Sequence, residues 1–277
     1  MKNTLTLSLA PAVLIGFILM TGSCRKDDDQ GQAPPPPKVG QPLLKEIIIQ
    51  NLPSPYFRFD YNSDSSAKEI SFASGLSTWS VEYDNKKIKS LTNLKQPSKL
   101  FYFYSGSNVT RIRTDNVLSG KTEWANHFQY DNFNRLIKIT WYQYASNGTD
   151  SVKFRETKFN YTKDFNLSGY EQFGRQDNGS FVLVATASYT NYDAGNNVDG
   201  FVIYKQFFED FLYLPNVRLQ LNNPRKQFLK TGVNEYQVEY TYQYNNDNPR
   251  TKRTKITQTK GSQAGTTTES LTQYSYY

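Results

Sequence analysis

The side chains best suited to chemistry are few in this 277-residue chain. Its one histidine, His127, stands in the run Trp124-Ala125-Asn126-His127-Phe128, and its one cysteine, Cys24, is about a hundred residues away. A histidine-dependent triad or a multi-histidine zinc site needs more partners than a single imidazole offers. His127 therefore reads as a cross-strand packing residue near a turn. Paired carboxylates cleave glycosides without histidine, given two carboxyl groups roughly 5–10 Å apart in a cleft. The 25 Asp and Glu leave that chemistry open, yet Asp84, Asp131, Asp164, Asp193 and Asp247 all stand where a turn former belongs. Asp193-Ala194-Gly195-Asn196-Asn197-Val198-Asp199-Gly200 has the look of a calcium loop. It lacks the alternating ligands and the closing Glu, and reads as a hairpin turn. No glycine-rich phosphate cradle is present, so neither a metal nor a cofactor is expected. The remaining hint is aromatic: 21 Tyr, 18 Phe and 3 Trp. Most must pack a sheet. Trp79, Trp124, Trp141 and Tyr142 are the ones that would form a flat, exposed platform for sugar rings or a partner surface.

Delivery comes before folding. Lys2 precedes an apolar run from Leu5 to Met20, too short and too broken by Pro11 and Gly16 to span a bilayer. The run ends in Thr21-Gly22-Ser23-Cys24, which resembles the lipobox of bacterial lipoproteins, with Thr21 in place of the usual Leu. The resemblance implies a signal peptide over 1–23, removed as Cys24 is lipidated. An ordinary secretory signal with an incidental cysteine is the alternative. Several acyl chains on one residue hold a protein to a membrane where one does not, and an exported chain with a single thiol has no disulfide to make. Arg25-Lys26-Asp27-Asp28-Asp29 follows. Lys26, Asp27 and Asp28 resemble the surface-export signal of Bacteroidota lipoproteins, which implies display on the outer face of the outer membrane; a periplasm-facing anchor is the alternative. Residues 24–42 carry Pro34-Pro35-Pro36-Pro37 without apolar periodicity, and read as a stiff linker.

The folded part is expected over 43–277, large enough to bury roughly 70% of its unfolded surface without disulfides. The formal charge of +7 is scattered between aromatics rather than gathered on one face, against a nucleic-acid partner. It suits solubility and weak attraction to acidic polysaccharide.

One short unit recurs. Phe128-Gln129-Tyr130-Asp131-Asn132-Phe133-Asn134-Arg135-Leu136 reads as strand, tight turn, strand. Related turns open at Tyr61, Tyr83, Tyr104, Tyr161, Tyr192 and Tyr244. Asp or Asn after the tyrosine bonds back to the following amides, and Asn or Gly at the close takes the left-handed conformation. The tyrosines lie 21 to 31 residues apart, except for the 52 from Tyr192 to Tyr244, a gap that suggests a degenerate unit. Such turns predict about fourteen antiparallel strands. Glu235–Tyr244 alternates most cleanly, with Tyr236, Val238, Tyr240, Tyr242 and Tyr244 on one side. Val152–Tyr161, Phe181–Tyr192 and Phe201–Phe208 read as further strands. Phe207–Pro224 reads as one or two helical turns or a long loop that packs across an open end of the sheet.

The Tyr-Asp turns followed by Asn-Arg-Leu resemble the tyrosine–aspartate repeats of Rhs-type β-cage proteins. The whole arrangement, with Asn222-Asn223-Pro224 and Tyr242-Gln243-Tyr244-Asn245, resembles an uncharacterised family of Bacteroidota lipoproteins with a porin-like antiparallel sheet. That resemblance implies a fold and an address, not an activity. The expectation is an all-β protein: a single large curved antiparallel meander, open or partly closed like a barrel. It would be a non-catalytic binding or scaffold domain in the cell envelope, held to the membrane by lipid, with polysaccharide or an envelope protein as partner. A carboxylate-dependent polysaccharide hydrolase is the alternative. A membrane-spanning barrel fits the alternation weakly and sits poorly with a mean hydropathy of −0.68.

Overall fold

The computed structural model describes residues 42–198, 213–214 and 217–277. The strands are β1 (Leu44–Ile49), β2 (Phe57–Tyr61), β3 (Ala67–Phe72), β4 (Ser77–Asp84), β5 (Lys87–Asn93), β6 (Ser98–Ser105), β7 (Asn108–Asn116) and β8 (Lys121–Tyr130). They continue as β9 (Leu136–Tyr144), β10 (Ser151–Tyr161), β11 (Leu167–Arg175), β12 (Phe181–Asn196), β13 (Asn222–Thr231), β14 (Asn234–Asn245), β15 (Asn248–Lys260) and β16 (Thr267–Tyr276). Each pairs antiparallel with its neighbours in sequence, and β1 pairs with β16, so the sheet closes into a barrel. Closure removes the free edges that an open meander would present to other chains.

The all-β meander is as expected, but the described residues form sixteen strands rather than fourteen, and the sheet is closed rather than open. The sequence count rested on tyrosines that precede a turn. Tyr276 holds the same place at the end of β16, and it pairs with Leu44 of β1. Among the described residues the long gap holds no extra pair of strands. β12 pairs directly with β13 through Tyr189↔Gln227, so the extra length belongs to their connection.

Strand alternation gives the barrel an apolar inside. Ile47, Ile70, Leu91, Ile112, Leu136, Ile139 and Leu167 are all buried. A barrel of sixteen strands ordinarily encloses water. Here Tyr213, Leu214, Val217 and Leu219, from the connection between β12 and β13, pack on the inward-facing cluster, and the Tyr102 hydroxyl donates to the Tyr213 carbonyl at 2.8 Å. Tyr213 and Val81 touch both halves of the core. The connection thus reaches the interior instead of lying across an open end. The expected strand Phe201–Phe208 and the start of the expected helical turns lie outside the described residues.

The outside is polar in continuous rows. One runs Lys138↔Lys158↔Glu171↔Thr186↔Lys230↔Glu235↔Lys260 from β9 to β15. Another runs Lys226↔Glu239↔Lys255↔Glu269.

All the tyrosine turns sit at one end of the barrel, and there the tyrosines have a second task. Each points inward at the end of an even-numbered strand and donates to a carbonyl at the start of the strand before it. The bonds run from Tyr61 to Leu44 (2.8 Å), Tyr83 to Ala67 (2.8 Å), Tyr104 to Ile88 (2.9 Å) and Tyr130 to Val109 (2.9 Å). They continue from Tyr161 to Leu136 (2.7 Å), Tyr192 to Leu167 (2.5 Å) and Tyr276 to Pro249 (2.7 Å). Together they form a girdle of latches, one per hairpin. Below each latch the turn forms as the residue types dictate. At Asp131 the carboxylate accepts from the Phe133 and Arg135 amides, both at 2.9 Å, and Asn134 takes φ of 58°.

Tyr244 is the exception, because the connection from β12 enters beside it. Its hydroxyl donates to the Asp193 carboxylate and accepts from Asn223 Nδ2 at 3.1 Å. Asn223, 1% exposed, also donates to the Asn196 carbonyl at 3.0 Å, while Asn166 Oδ1 accepts from the Leu221 and Asn222 amides, both at 2.9 Å. The Asn222-Asn223 pair is therefore a clamp on the base of the inserted connection. Asp193 serves the same clamp: β12 runs on to Asn196 instead of turning at Asp193, and the carboxylate faces Arg225 at 3.1 Å.

Candidate functional site

The four aromatics singled out as a platform do not share a surface. Asn126 pairs with Trp141 and Trp124 with Gln143, so both tryptophans face inward. Trp141 is 2% exposed, Trp79 is buried in the same cluster, and Trp124 packs edge-on against Phe154 with centroids 5.4 Å apart. Tyr142, one residue on from Trp141, faces out. Cys24, Lys26, Asp27 and Asp28 lie outside the described residues.

Around Tyr142 the outer wall carries a different aromatic array. The cross-strand row Phe101↔Arg113↔Ala125↔Tyr142 lies beside Phe103↔Arg111↔His127↔Thr140, across β6, β7, β8 and β9. Both rows alternate with the inward Leu100, Tyr102 and Ile112 and so face out, although Ala125 and Thr140 within them are themselves buried. The Arg113 guanidinium lies 5.0 Å from the Phe101 ring centre and 5.7 Å from that of Phe103; Arg111 lies 5.3 Å from Phe103, and Lys99 5.3 Å from Phe101. Asp115 holds Arg113 at 2.8 Å, and Arg111 donates to the Tyr144 hydroxyl at 3.2 Å. Phe103 is 40% exposed. His127 sits 4.9 Å from the Tyr142 ring, and burial together with the Arg111 charge lowers its pKa below the usual histidine value. Stacked guanidinium groups with N–H edges left over suit planar anions such as carboxylates and sulfates, and the ring faces suit sugars. The signal was present in the sequence: Phe101-x-Phe103, a tight turn, then Arg111-x-Arg113 is alternation with aromatic and cation on the same side.

A cleft of about 520 Å³ opens at the tyrosine end, lined by Leu43, Asp60, Tyr61, Asn62, Lys68, Glu69 and Tyr277. Asp60 and Glu69 stand directly opposite each other on β2 and β3. The Tyr277 hydroxyl donates to Asp60 Oδ1 at 3.0 Å and to the Phe59 carbonyl at 3.2 Å, and its ring meets Tyr61 edge-on at 5.8 Å. Burial first, then the Asp60 carboxylate, raises the Tyr277 pKa above its ordinary value. Among the described residues no three His, Cys, Asp or Glu are grouped to hold a metal.

No protein-family model matches the chain, and no curated protein sequence does. Solved structures do resemble it. A porin-like protein from Bacteroides vulgatus ATCC 8482 is 14% identical with a TM-score of 0.58, over 85% of this chain and 99% of that one. A porin-like protein from Bacteroides uniformis ATCC 8492 is 15% identical with a TM-score of 0.55, over 80% and 89%. At such identities the likeness is one of fold.

Proposed function

We propose that the chain is a lipoprotein of the bacterial outer membrane, anchored through Cys24 and displayed at the cell surface, whose barrel binds an acidic polysaccharide along the outer stripe of Phe101, Phe103, Arg111 and Arg113. The observation that carries this reading is the interleaving of cations and rings on an outward face, where neither serves the core. A membrane pore is a poorer reading, although the structural neighbours are named porin-like. A barrel wall in lipid needs an outward apolar band, and this wall carries rows of Lys and Glu. Binding of carboxylated and sulfated glycans by the mature chain is expected to weaken about tenfold in Phe103→Ala and in Arg111→Gln, and to fall with salt. Equal binding by both variants, or no binding to any acidic glycan, overturns the reading.

A second reading is hydrolytic, favoured by one observation: two carboxylates opposite each other in an aromatic-lined cleft. Release of reducing sugar from an envelope polysaccharide, abolished by both Asp60→Asn and Glu69→Gln, would establish it. Release that survives either change places the chemistry elsewhere.

A further inference from the structure

The end of the barrel away from the tyrosine girdle has a distinct chemistry. Three consecutive connections there, residues 73–76, 94–97 and 117–120, carry Leu76, Leu94, Val117 and Leu118. Leu118 is 83% exposed, and the other three are half exposed or more. Turn tips are ordinarily Gly, Asn, Asp, Ser or Pro, and adjoining aliphatic tips on separate loops call for a partner.

These tips are held in place. The Leu94 amide donates to the Thr78 carbonyl of β4 at 2.8 Å, and the Val117 amide to the Pro97 carbonyl at 2.9 Å, so the second connection is tied to the strand that follows the first, and the third connection to the second. Asn93 Oδ1 accepts from the Lys95 and Gln96 amides at 2.8 and 3.1 Å, and Asn116 Oδ1 from the Leu118 and Ser119 amides at 3.0 and 3.2 Å. The three connections contain Lys95 and no acidic residue, and Lys121, whose ammonium donates to the Ser146 carbonyl at 2.6 Å, follows the last. On the adjoining strands Asp115 is engaged with Arg113 and Thr122, and Glu123 with Asn116. At the opposite end the apolar turn residues Phe133 and Phe165 pack on each other, with Arg135 over both rings.

We propose that this rim sector is a membrane-docking face, which seats its aliphatic tips at the boundary of an anionic bilayer while its lysines meet the headgroups. Exposed aliphatic side chains on three neighbouring connections at one end of the barrel suit a planar, deformable surface. Their flanking cations complement anionic lipid, as in interfacial segments generally. The inference is independent of the glycan stripe, which lies on the side wall. It also needs no lipid on Cys24.

Vesicle flotation with the mature chain carrying Cys24→Ser tests it. Flotation is expected with phosphatidylglycerol-containing vesicles, weaker with phosphatidylcholine alone, and reduced at least fivefold in Leu94→Asp/Leu118→Asp. Val233→Asp, on the connection between β13 and β14, serves as the exposed control and should float as the parent does. Circular dichroism keeps a folding defect apart, and Leu94→Ser/Leu118→Ser provides a milder pair with the same expected direction. No flotation, or flotation that the tip variants leave unchanged, overturns the proposal. So does capture of an envelope protein through these tips without any vesicle binding.

Discussion

A tyrosine hydroxyl in the girdle is worth what its carbonyl would lose without it. Tyr130→Phe leaves the ring in place and strips the Val109 carbonyl of its partner. The expected cost is about 1–2 kcal/mol, read as a lower denaturation midpoint. Tyr142→Phe, on the outer wall, should change stability by less than about 0.5 kcal/mol. The Asp131 turn was legible from residue types, because an Asx turn is local chemistry. The direction of the tyrosines was not, because their acceptors lie 16 to 27 residues earlier in the chain. Nothing in Tyr-Asp itself names a partner at that distance. The tryptophans were misjudged for a related reason: their composition suggested display, while strand alternation turned them inward.

At the scale of a strand, β11 shows how closely adjacent backbones pass. A Cβ added to Gly169 would stand 2.3 Å from the Ala187 carbonyl oxygen of β12, a backbone atom that cannot step aside. Gly174 has only the Val184 side chain at 3.1 Å. Gly169→Ala should therefore cost about 3 kcal/mol or more, and Gly174→Ala about 1 kcal/mol or less, by urea titration. Strands such as β14 were readable because one buried face imposes period two. The clamp of Asn166, Asn222 and Asn223 was readable only as a motif, since its meaning depends on bonds from Leu221 and Asn222 to Asn166, 55 and 56 residues earlier in the chain.

At the scale of the molecule, the girdle makes the barrel alkali-sensitive. Burial raises the pKa of Tyr61, Tyr130, Tyr161 and Tyr192, and pushes that of Tyr104 up to about 12. The folded state thus holds protons that the unfolded chain releases near pH 10. The stability this contributes is complete below that pH and is lost as pH rises above it. Circular dichroism and tyrosinate absorbance should change together above about pH 10, and the single Tyr130→Phe variant should begin its transition at lower pH. Barrel closure escaped the sequence because its evidence sits in the first and last strands, at Leu44 and Tyr276, which no local pattern connects.

Each latch reaches no farther than the strand beside it. A hairpin with its tyrosine is therefore self-contained, and duplicating or deleting one would alter the circumference while leaving the other fastenings as they were. A protein made this way can change its girth over generations two strands at a time, like a belt that gains or loses links, except where Tyr244 is held by the Asp193 and Asn223 side chains instead of by a backbone carbonyl of its neighbouring strand.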